Sequence, residues 1–562
     1  MTNPLPKTCK NPHTIALCTS FTAALLLCLW SISSPKPQNR DGHFSAQHAF
    51  RHLQVIAKDQ HAVFDLHAIE EVRNYIEETI DAFDHVKWAK VKHSPIEVNN
   101  QKSHNREWID IHNIYAEIEG SSGMYMLLVA HFDSSPYKEK YGVGTEGSYG
   151  AADDGYGVAS MLEIMRLLNE SAAAGTLVNG VKFAFTDAEE VALGGAAALV
   201  TEFSSWLEDV NIVINLEARG IKGPLYMFQT SKNNFKLIDF YSRTHLPFSF
   251  SIASDVYKHL PNDTDFTLFL KKGWYPGLNF SILNSLKYYH TPLDNLENAD
   301  LATIQLYGEQ IYPLVTEYTG NEKYSAPNAF VSNNNAVFFT LLPGFLVYYS
   351  EQVSWILLWC ITLCTVVIFF VSIRKRTLSL SKALLSLCIW IGYLFSAAIA
   401  GWLLAMFVGF VTGNKFALMH MPHVPFDLGF VILFALCVLV AGFFMVALCK
   451  KFKCSATDTL SGAILLMSIL SITSAFLLHG GTYLFVWPTL FMLATFCRHT
   501  LVRYILLPLA IIITSILYIT IIYSLFLALT FGALAIILLF TALLGCALAQ
   551  LEFLTPKSNY YP

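Results

Sequence analysis

The side chains in this sequence that are able to do chemistry fall in five short clusters. His131-Phe132-Asp133 follows one apolar run, and Gly150-Ala151-Ala152-Asp153-Asp154-Gly155 precedes a helical stretch. Thr186-Asp187-Ala188-Glu189-Glu190 and Glu217 follow two further apolar runs, and Tyr288-Tyr289-His290-Thr291-Pro292-Leu293-Asp294-Asn295 comes last. Two histidines and several carboxylates, without cysteine, suit Zn2+ held for catalysis rather than for structure. The set is too large for one open tetrahedral zinc. It suits two ions sharing one carboxylate, about 3.5–4 Å apart, so that both the attacking and the leaving oxygens of a hydrolysis are stabilised. The 11 cysteines lie at positions 9, 18 and 28 and from 360 onward. A thiolate site and a disulfide framework are therefore both excluded between residues 33 and 335.

The elements that must position these residues alternate in type. Ser45–Ala57 and Ile69–Phe83 carry helical periodicity, Ile109–Ile118 alternates as a strand, and Met124–Ala130 is a short continuous apolar run. Val158–Leu168 reads as a helix, Val181–Phe185 as a strand, Ala196–Leu207 as a helix, Ile212–Leu216 as a strand and Leu301–Tyr318 as an amphipathic helix. Apolar strands separated by helices predict an α/β fold, a mostly parallel mixed sheet flanked by helices. Ligands of such sheets lie beyond the carboxyl ends of the strands. His131, Asp187 to Glu190 and Glu217 all fall there.

Composition divides the chain. Mean hydropathy is +0.44 and only 14% of residues are charged, against about a quarter in ordinary globular proteins. From Ala336 onward there are 11 Lys and Arg against 4 Asp and Glu, leaving 26 against 38 in the first 335 residues. An acidic globular half thus precedes a lipid-soluble half. This excludes a purely soluble enzyme, a nucleic-acid binder with a basic footprint and a fully disordered chain.

Ile15–Ile32 is an 18-residue apolar run preceded by Lys7 and Lys10. It reads as an uncleaved anchor, the alternative being a cleavable signal ending near Ser31-Ile32-Ser33. Seven further candidate spans run at 353–373, 383–411, 427–449, 459–479, 482–497, 504–523 and 526–549, the fifth short and containing Pro488. The Pro-broken segment 336–350 reads as a buried strand or an interfacial piece. Basic loops carry Arg374, Lys375, Arg376 and Lys382, then Lys450, Lys451 and Lys453, then Arg498 and Arg503, whereas the intervening loops carry only Lys415. The positive-inside rule makes the basic loops cytoplasmic and the globular half extracytoplasmic. The expected plan is a tail at 1–14, an anchor at 15–32, a catalytic domain at 33–335, a junction at 336–352, a seven-span domain at 353–549 and a tail at 550–562. The cysteine-free ectodomain suits the periplasmic face of a bacterial inner membrane, with an ER or vacuolar membrane as the alternative.

AHFDS, GAADDGYGVA, DAEEVALGG, NLEARG and YYHTPLDN resemble, in order, the five metal motifs of the co-catalytic dizinc aminopeptidase and carboxypeptidase family. The architecture is similar to its membrane-anchored branch, which includes the endoplasmic reticulum metallopeptidase and the fungal vacuolar membrane protease. The motif resemblance covers about residues 45–320. It implies a membrane-bound metallopeptidase, most simply an aminopeptidase, with two Zn2+ ions and peptide substrates. By position, His131 and Glu217 would bind one zinc, Glu190 and His290 the other, and Asp153 would bridge both. Glu189 would be the general base on the metal-bound water, and Asp133 would orient His131. The resemblance also implies a cis peptide at Asp153–Asp154. Where relatives carry a Pro-His-Pro-type turn, this chain has Gln60-His61-Ala62-Val63-Phe64-Asp65, a departure that bears on edge packing or pocket shape. Two alternatives differ in class. One is a glutaminyl-cyclase-like reaction on a single zinc, and the other a membrane interaction protein with an inactive domain.

Other candidates read more simply. His104 and His112 are expected at the surface, and His420 and His423 in a solvated or interfacial loop. Asp154 is expected as a turn residue and Asp263 or Thr264 as a helix cap beside the site. Asn169, Asn262 and Asn279 fit the glycosylation sequon.

Overall fold

The structure is a computed structural model that describes residues 42–100, 105–136, 147–260, 262–273, 275–413, 427–496 and 505–554, with isolated positions before residue 42. The expected anchor at 15–32 lies largely outside the described residues, as does most of the tail at 550–562. Lys7, Lys10, His104, Lys415, His420, His423, Arg498 and Arg503 also lie outside them. The chain divides into two compact units, Ile32–Ser350 and Met1–Ser31 together with Glu351–Pro562.

The first unit is built on a seven-stranded sheet of order β1-β2-β4-β3-β5-β7-β6. Its strands are β1 (Lys87–Asn100), β2 (Asn105–Ile118), β3 (Tyr125–His131), β4 (Gly180–Thr186), β5 (Val210–Ala218), β6 (Lys222–Thr230) and β7 (Gly277–Asn284). The four central strands β4, β3, β5 and β7 run parallel, and β1, β2 and β6 add antiparallel pairs at the two sides. The mixed sheet expected from the sequence is therefore present, parallel where it is covered on both faces.

Period-two alternation sorts each central strand between two cores. Met126, Leu128, Ala130, Val181, Phe183, Phe185, Ile212, Ile214 and Leu216 face the larger one. Leu127, Val129, Ala184 and Val213 face the smaller one. The larger core is closed by the helices Ala46–Ile56, Gly155–Ala173 and Leu301–Thr319, and the smaller by Gly194–Thr201 and Asp265–Leu268. Ala46, Ala49, Leu53 and Ile56 are buried at helical spacing, and Ser45 caps that helix by accepting from the His48 amide. Asp154 and Asp300 cap the other two in the same way. Segment 336–350 forms a hairpin of β8 (Ala336–Leu342) and β9 (Phe345–Ser350) that belongs to this unit.

In the second unit, seven apolar helices occur among the described residues close to the seven expected spans. Five helical stretches are long and apolar enough to cross a membrane: Glu351–Arg374, Leu380–Thr412, Leu428–Lys451, Ala456–Leu477 and Leu507–Leu551. The count differs from seven for two reasons. Tyr483–Ala494 contains Pro488 and has 12 residues, about 18 Å of helix against a hydrocarbon core of about 30 Å. The last two expected spans are joined by a 3-10 turn at Thr530–Ala533 into one 45-residue stretch.

Gly308 shows how closely the larger core is packed. A β-carbon there would lie 2.2 Å from Cδ1 and 2.8 Å from Cβ of the buried Phe44. Alanine would gain about 1 kcal/mol of helix propensity, but overpacking costs about 1–3 kcal/mol. Because the clash reaches the β-carbon of Phe44, overpacking wins. Gly308→Ala is expected to lower the thermal unfolding midpoint of the globular domain, measured by calorimetry on the detergent-solubilised protein. An unchanged or raised midpoint would contradict the packing.

Candidate metal centre

The carboxyl edge of the parallel strands gathers the predicted residues. His131 ends β3 and pairs in register with Thr186 at the end of β4, while Glu217 lies near the end of β5. Asp153 stands one residue before the capping residue of Gly155–Ala173, and the Asp153–Asp154 peptide is cis as expected. Glu189 and Glu190 open a one-turn helix after β4, entered through Ala188 and left through Leu193, both in the left-handed region at φ 57° and 54°. This abrupt turn is what lets two adjacent glutamates serve one site.

Two donor triads result, His131–Asp153–Glu217 and Asp153–Glu190–His290, each with its ligand atoms within 4.8 Å of one another. Asp153 belongs to both. Its Oδ1 lies 3.4 Å from His131 Nε2 and its Oδ2 lies 3.2 Å from His290 Nε2. His290 Nε2 is 2.9 Å from Glu190 Oε2, and His131 Nε2 is 4.0 Å from Glu217 Oε2. The nitrogen and oxygen donors are of the kind a divalent cation such as zinc takes. The fit has an independent sign: His131 Nε2 and Glu190 Oε1 are buried without a hydrogen-bond partner. His131 Nδ1 donates to the backbone carbonyl of Asp133 at 2.9 Å. In the neutral ring this leaves the Nε2 lone pair facing two carboxylates, an arrangement that a cation between them would satisfy.

The electrostatics say the same. Burial alone would lower both histidines. The Asp133 and Asp153 carboxylates nevertheless carry His131 well above its ordinary value, and Glu190 and Asp153 push His290 up to about 10. Burial holds Glu217 and Glu189 well above the carboxylate range, reinforced by neighbouring carboxylates, and lifts Glu190 to about 7. Asp153 resists its burial because both histidines sit against it, and it stays low. Such a cluster of perturbed groups marks a candidate functional site.

Asp133 stands beside His131 Nδ1 with both its carbonyl and its carboxylate. Its carbonyl orients His131, while its carboxylate accepts from the amides of Glu189 at 3.0 Å and Glu190 at 3.3 Å, with Oδ1 3.5 Å from His131 Nδ1. It therefore ties the end of β3 to the glutamate turn. The segment at Gln60-His61 packs on neighbouring loops: the His61 amide donates to Ser134 Oγ and Gln60 Nε2 to the Gly147 carbonyl.

Several supporting residues had no role in the sequence reading. Asp294 accepts from the amides of Ala152 at 2.7 Å and Asp153 at 3.2 Å and from Ser148 Oγ. Burial and the nearby Asp153 raise it to about 7. Its only sequence signal was its place in YYHTPLDN. Asp265, raised to about 6 by burial, accepts from Thr186 Oγ1 at 2.5 Å, and its Oδ1 is buried without a partner. Thr264 does cap the helix Asp265–Leu268, while Asp263 is exposed and pairs with Lys271. Asp154 accepts from Gly157 as a capping residue. His112, expected at the surface, is half-buried, and its amide donates to Asp187 Oδ2. Asn279 is fully buried in β7, bonded to Gln229 and Asn215, which removes it as a glycan acceptor in the folded chain.

Fold and site together define an α/β domain whose strand ends carry two candidate metal-binding triads. Residues 113–315 match the family model described as peptidase family M28. The human endoplasmic reticulum metallopeptidase 1 is 29% identical over 250 residues, 44% of this chain and 26% of the relative. A vacuolar membrane protease of Clavispora lusitaniae is 26% identical over 318 residues, 52% of this chain and 28% of the relative. The chain thus aligns with little more than a quarter of the length of these relatives. Among solved structures, Porphyromonas gingivalis glutaminyl cyclase has 20% identity and a TM-score of 0.39, covering 49% of this chain and 99% of that one. A Zn-dependent exopeptidase of Parabacteroides distasonis has the same identity and TM-score, covering 49% and 98%.

Asp133→Asn would set an amide against one of the two backbone amides that its carboxylate now accepts. It is expected to weaken zinc binding about 10–100-fold, read by competition with a chromophoric chelator. Wild-type affinity in the variant would contradict the role assigned to that carboxylate.

Proposed function

We propose that this protein is a membrane-bound dizinc metallopeptidase, most simply an aminopeptidase, that cleaves peptide bonds on the side of the membrane opposite its basic loops. The observation that carries the reading is the pair of donor triads sharing Asp153. A single-zinc reaction of the glutaminyl-cyclase kind needs fewer donors, and an inactive domain need retain neither triad.

His131 and Glu217 would hold one ion, Glu190 and His290 the other, and Asp153 would bridge them. Two such ions, when bound, supply positive charge that polarises the peptide carbonyl and acidifies water. The chain supplies the rest. Glu189, held by its amide on Asp133, takes a proton from the attacking water on its carboxylate and returns it to the leaving amine. Burial and neighbouring carboxylates raise its affinity for that proton, as a group that must both accept and release it requires. Tyr289 stacks on His290 with ring centroids 3.7 Å apart and keeps that imidazole in its plane.

The test is hydrolysis of aminoacyl nitroanilides and of their N-acetylated counterparts by the full chain in detergent. Free amino termini are expected to be required, a strong chelator to abolish activity and zinc to restore it. Glu189→Gln is expected to lower kcat about 10²–10⁴-fold while zinc content is unchanged. Chelator-insensitive hydrolysis, or full activity in Glu189→Gln, would sink the proposal.

A further inference from the structure

The ladder between β2 and β4 ends at the pair Ile114–Phe185. Beyond it, β2 continues to bond the chain that leaves β4, by other groups. The Asn113 side chain, fully buried, accepts from the Asp187 amide through Oδ1 at 3.0 Å and donates to the Gly195 carbonyl through Nδ2 at 2.8 Å. Next to it the His112 amide donates to Asp187 Oδ2 at 2.9 Å, and the buried Arg73 guanidinium lies 3.0 Å from the same oxygen. The loop 187–195 is itself pinched at the base, where the Gly195 amide donates to the Asp187 carbonyl at 2.7 Å and the Gly194 amide to the Ala188 carbonyl at 2.9 Å. Its apex carries Glu189 and Glu190.

Because the Asp187 amide can only donate, Oδ1 of Asn113 must face it, and Nδ2 is left with two protons to place. One goes to Gly195 and the other to the Tyr115 hydroxyl at 2.6 Å. The Tyr115 hydroxyl in turn lies 3.0 Å from His93 Nε2, and His93 Nδ1 lies 3.3 Å from Glu202. Every hydrogen-bonding atom of the Asn113 amide is thus engaged, and no room is left for a larger group. A β-carbon on Gly195 would stand 2.4 Å from Asn113 Oδ1 and 2.5 Å from the Asp187 amide.

We infer that Asn113 is a positioning residue: its amide joins the two ends of the loop 187–195 and so sets where Glu189 and Glu190 stand relative to Asp153 and His290. Catalytic consequences rest on the function proposed above, whereas the effect on metal binding does not. An aspartate at 113 keeps the acceptor for Asp187 but sets an oxygen against the Gly195 carbonyl, opening one end of the loop without changing size.

The experiment compares the full-length protein in detergent with Asn113→Asp, Tyr115→Phe and Asn179→Asp. Asn179 is a structural control. It is equally buried, stands at the opposite end of β4 and joins loops there through the Tyr318 and Asn321 carbonyls. Zinc retention is measured by chelator competition, alongside kcat, KM and the unfolding midpoint. Asn113→Asp is expected to weaken the zinc that Glu190 helps to hold about 10–100-fold. At saturating zinc it is also expected to lower kcat at least about tenfold while KM stays within about threefold, since Glu189 is displaced but the pocket is not. Asn179→Asp is expected to lose stability while keeping zinc and kcat. Wild-type zinc affinity and kcat in Asn113→Asp, or equal losses in Asn179→Asp, would overturn the inference. If Asn113→Asp does not fold, Tyr115→Phe decides. Loss of one acceptor from the amide should shift zinc affinity and kcat a few-fold in the same direction, and no shift overturns the inference. A wild-type protein that binds zinc but cleaves no peptide defeats the proposed function alone, because the zinc comparison still stands. One that binds no zinc defeats both.

Discussion

Mutual repulsion among carboxylates is the constraint on which the globular domain is organised. Asp133, Asp153, Glu189, Glu190, Glu217 and Asp265 are drawn together at one edge of the sheet, with His131 and His290 as the donors between them. Buried charge of one sign is costly unless it is paired, hydrogen-bonded or neutralised by an ion. Burial and neighbouring carboxylates push the site's glutamates upward, and the carboxylates push both histidines upward. Asp153 is held low, because it lies between both imidazoles. The residue that two ions would share is thus held anionic, as a bridging ligand must be.

Holding such a cluster open requires rigid supports, and these come from a strand end, a strand, a helix and a loop. Asp133, just past β3, bonds the glutamate turn past β4. Asp294 bonds the turn that presents Asp153. Asn113 and Arg73 hold the base of the loop bearing Glu189 and Glu190. Each support is a carboxylate, amide or guanidinium with its main bonds directed at backbone or at a partner of opposite charge. The arrangement follows from the parallel centre of the sheet, since strands that point the same way deliver their turns to the same edge.

How far this was legible in the sequence depends on which kind of residue is asked about. Five helices and the strands β2, β3, β4 and β5 announce themselves by apolar runs or periodicity, and His131, Asp153, Glu189, Glu190, Glu217 and His290 by standing just beyond or before such elements, whereas the short helices Phe235–Tyr241 and Ser251–Tyr257 do not. The strands β1, β6 and β7 do not. β1 is a largely exposed antiparallel edge with no clean alternation and a register shift between His93 and Ile96. β7 buries Asn279 and Ser281, whose polarity hides a central strand until Asn215 and Gln229 are seen bonding Asn279 from the strands beside it. Asn113, Asp265 and Asp294 were illegible for a related reason. A polar residue that supports a backbone loop has the same appearance in sequence as one that faces water, and only its partner distinguishes them.

The same reasoning accounts for Asp458, the buried carboxylate of the membrane unit among the described residues. An ionisable side chain at the end of an apolar helix first suggests a path for ions or protons. Asp458, however, is fully engaged in fixing backbone. It accepts from the amide and hydroxyl of Ser455, completing a reciprocal cap at the start of Ala456–Leu477, and from the Ser379 amide at 2.8 Å at the start of Leu380–Thr412. Its charge stabilises the amino-terminal ends of two helices at once, where unpaired amides and the helix dipole both favour an anion. One carboxylate therefore sets two apolar helices in register, much as Asp133 sets the glutamate turn against β3. In both units buried acidic residues are kept where backbone amides converge on them. At Asp458 both oxygens are bonded, whereas at the sheet edge His131 Nε2 and Glu190 Oε1 remain open.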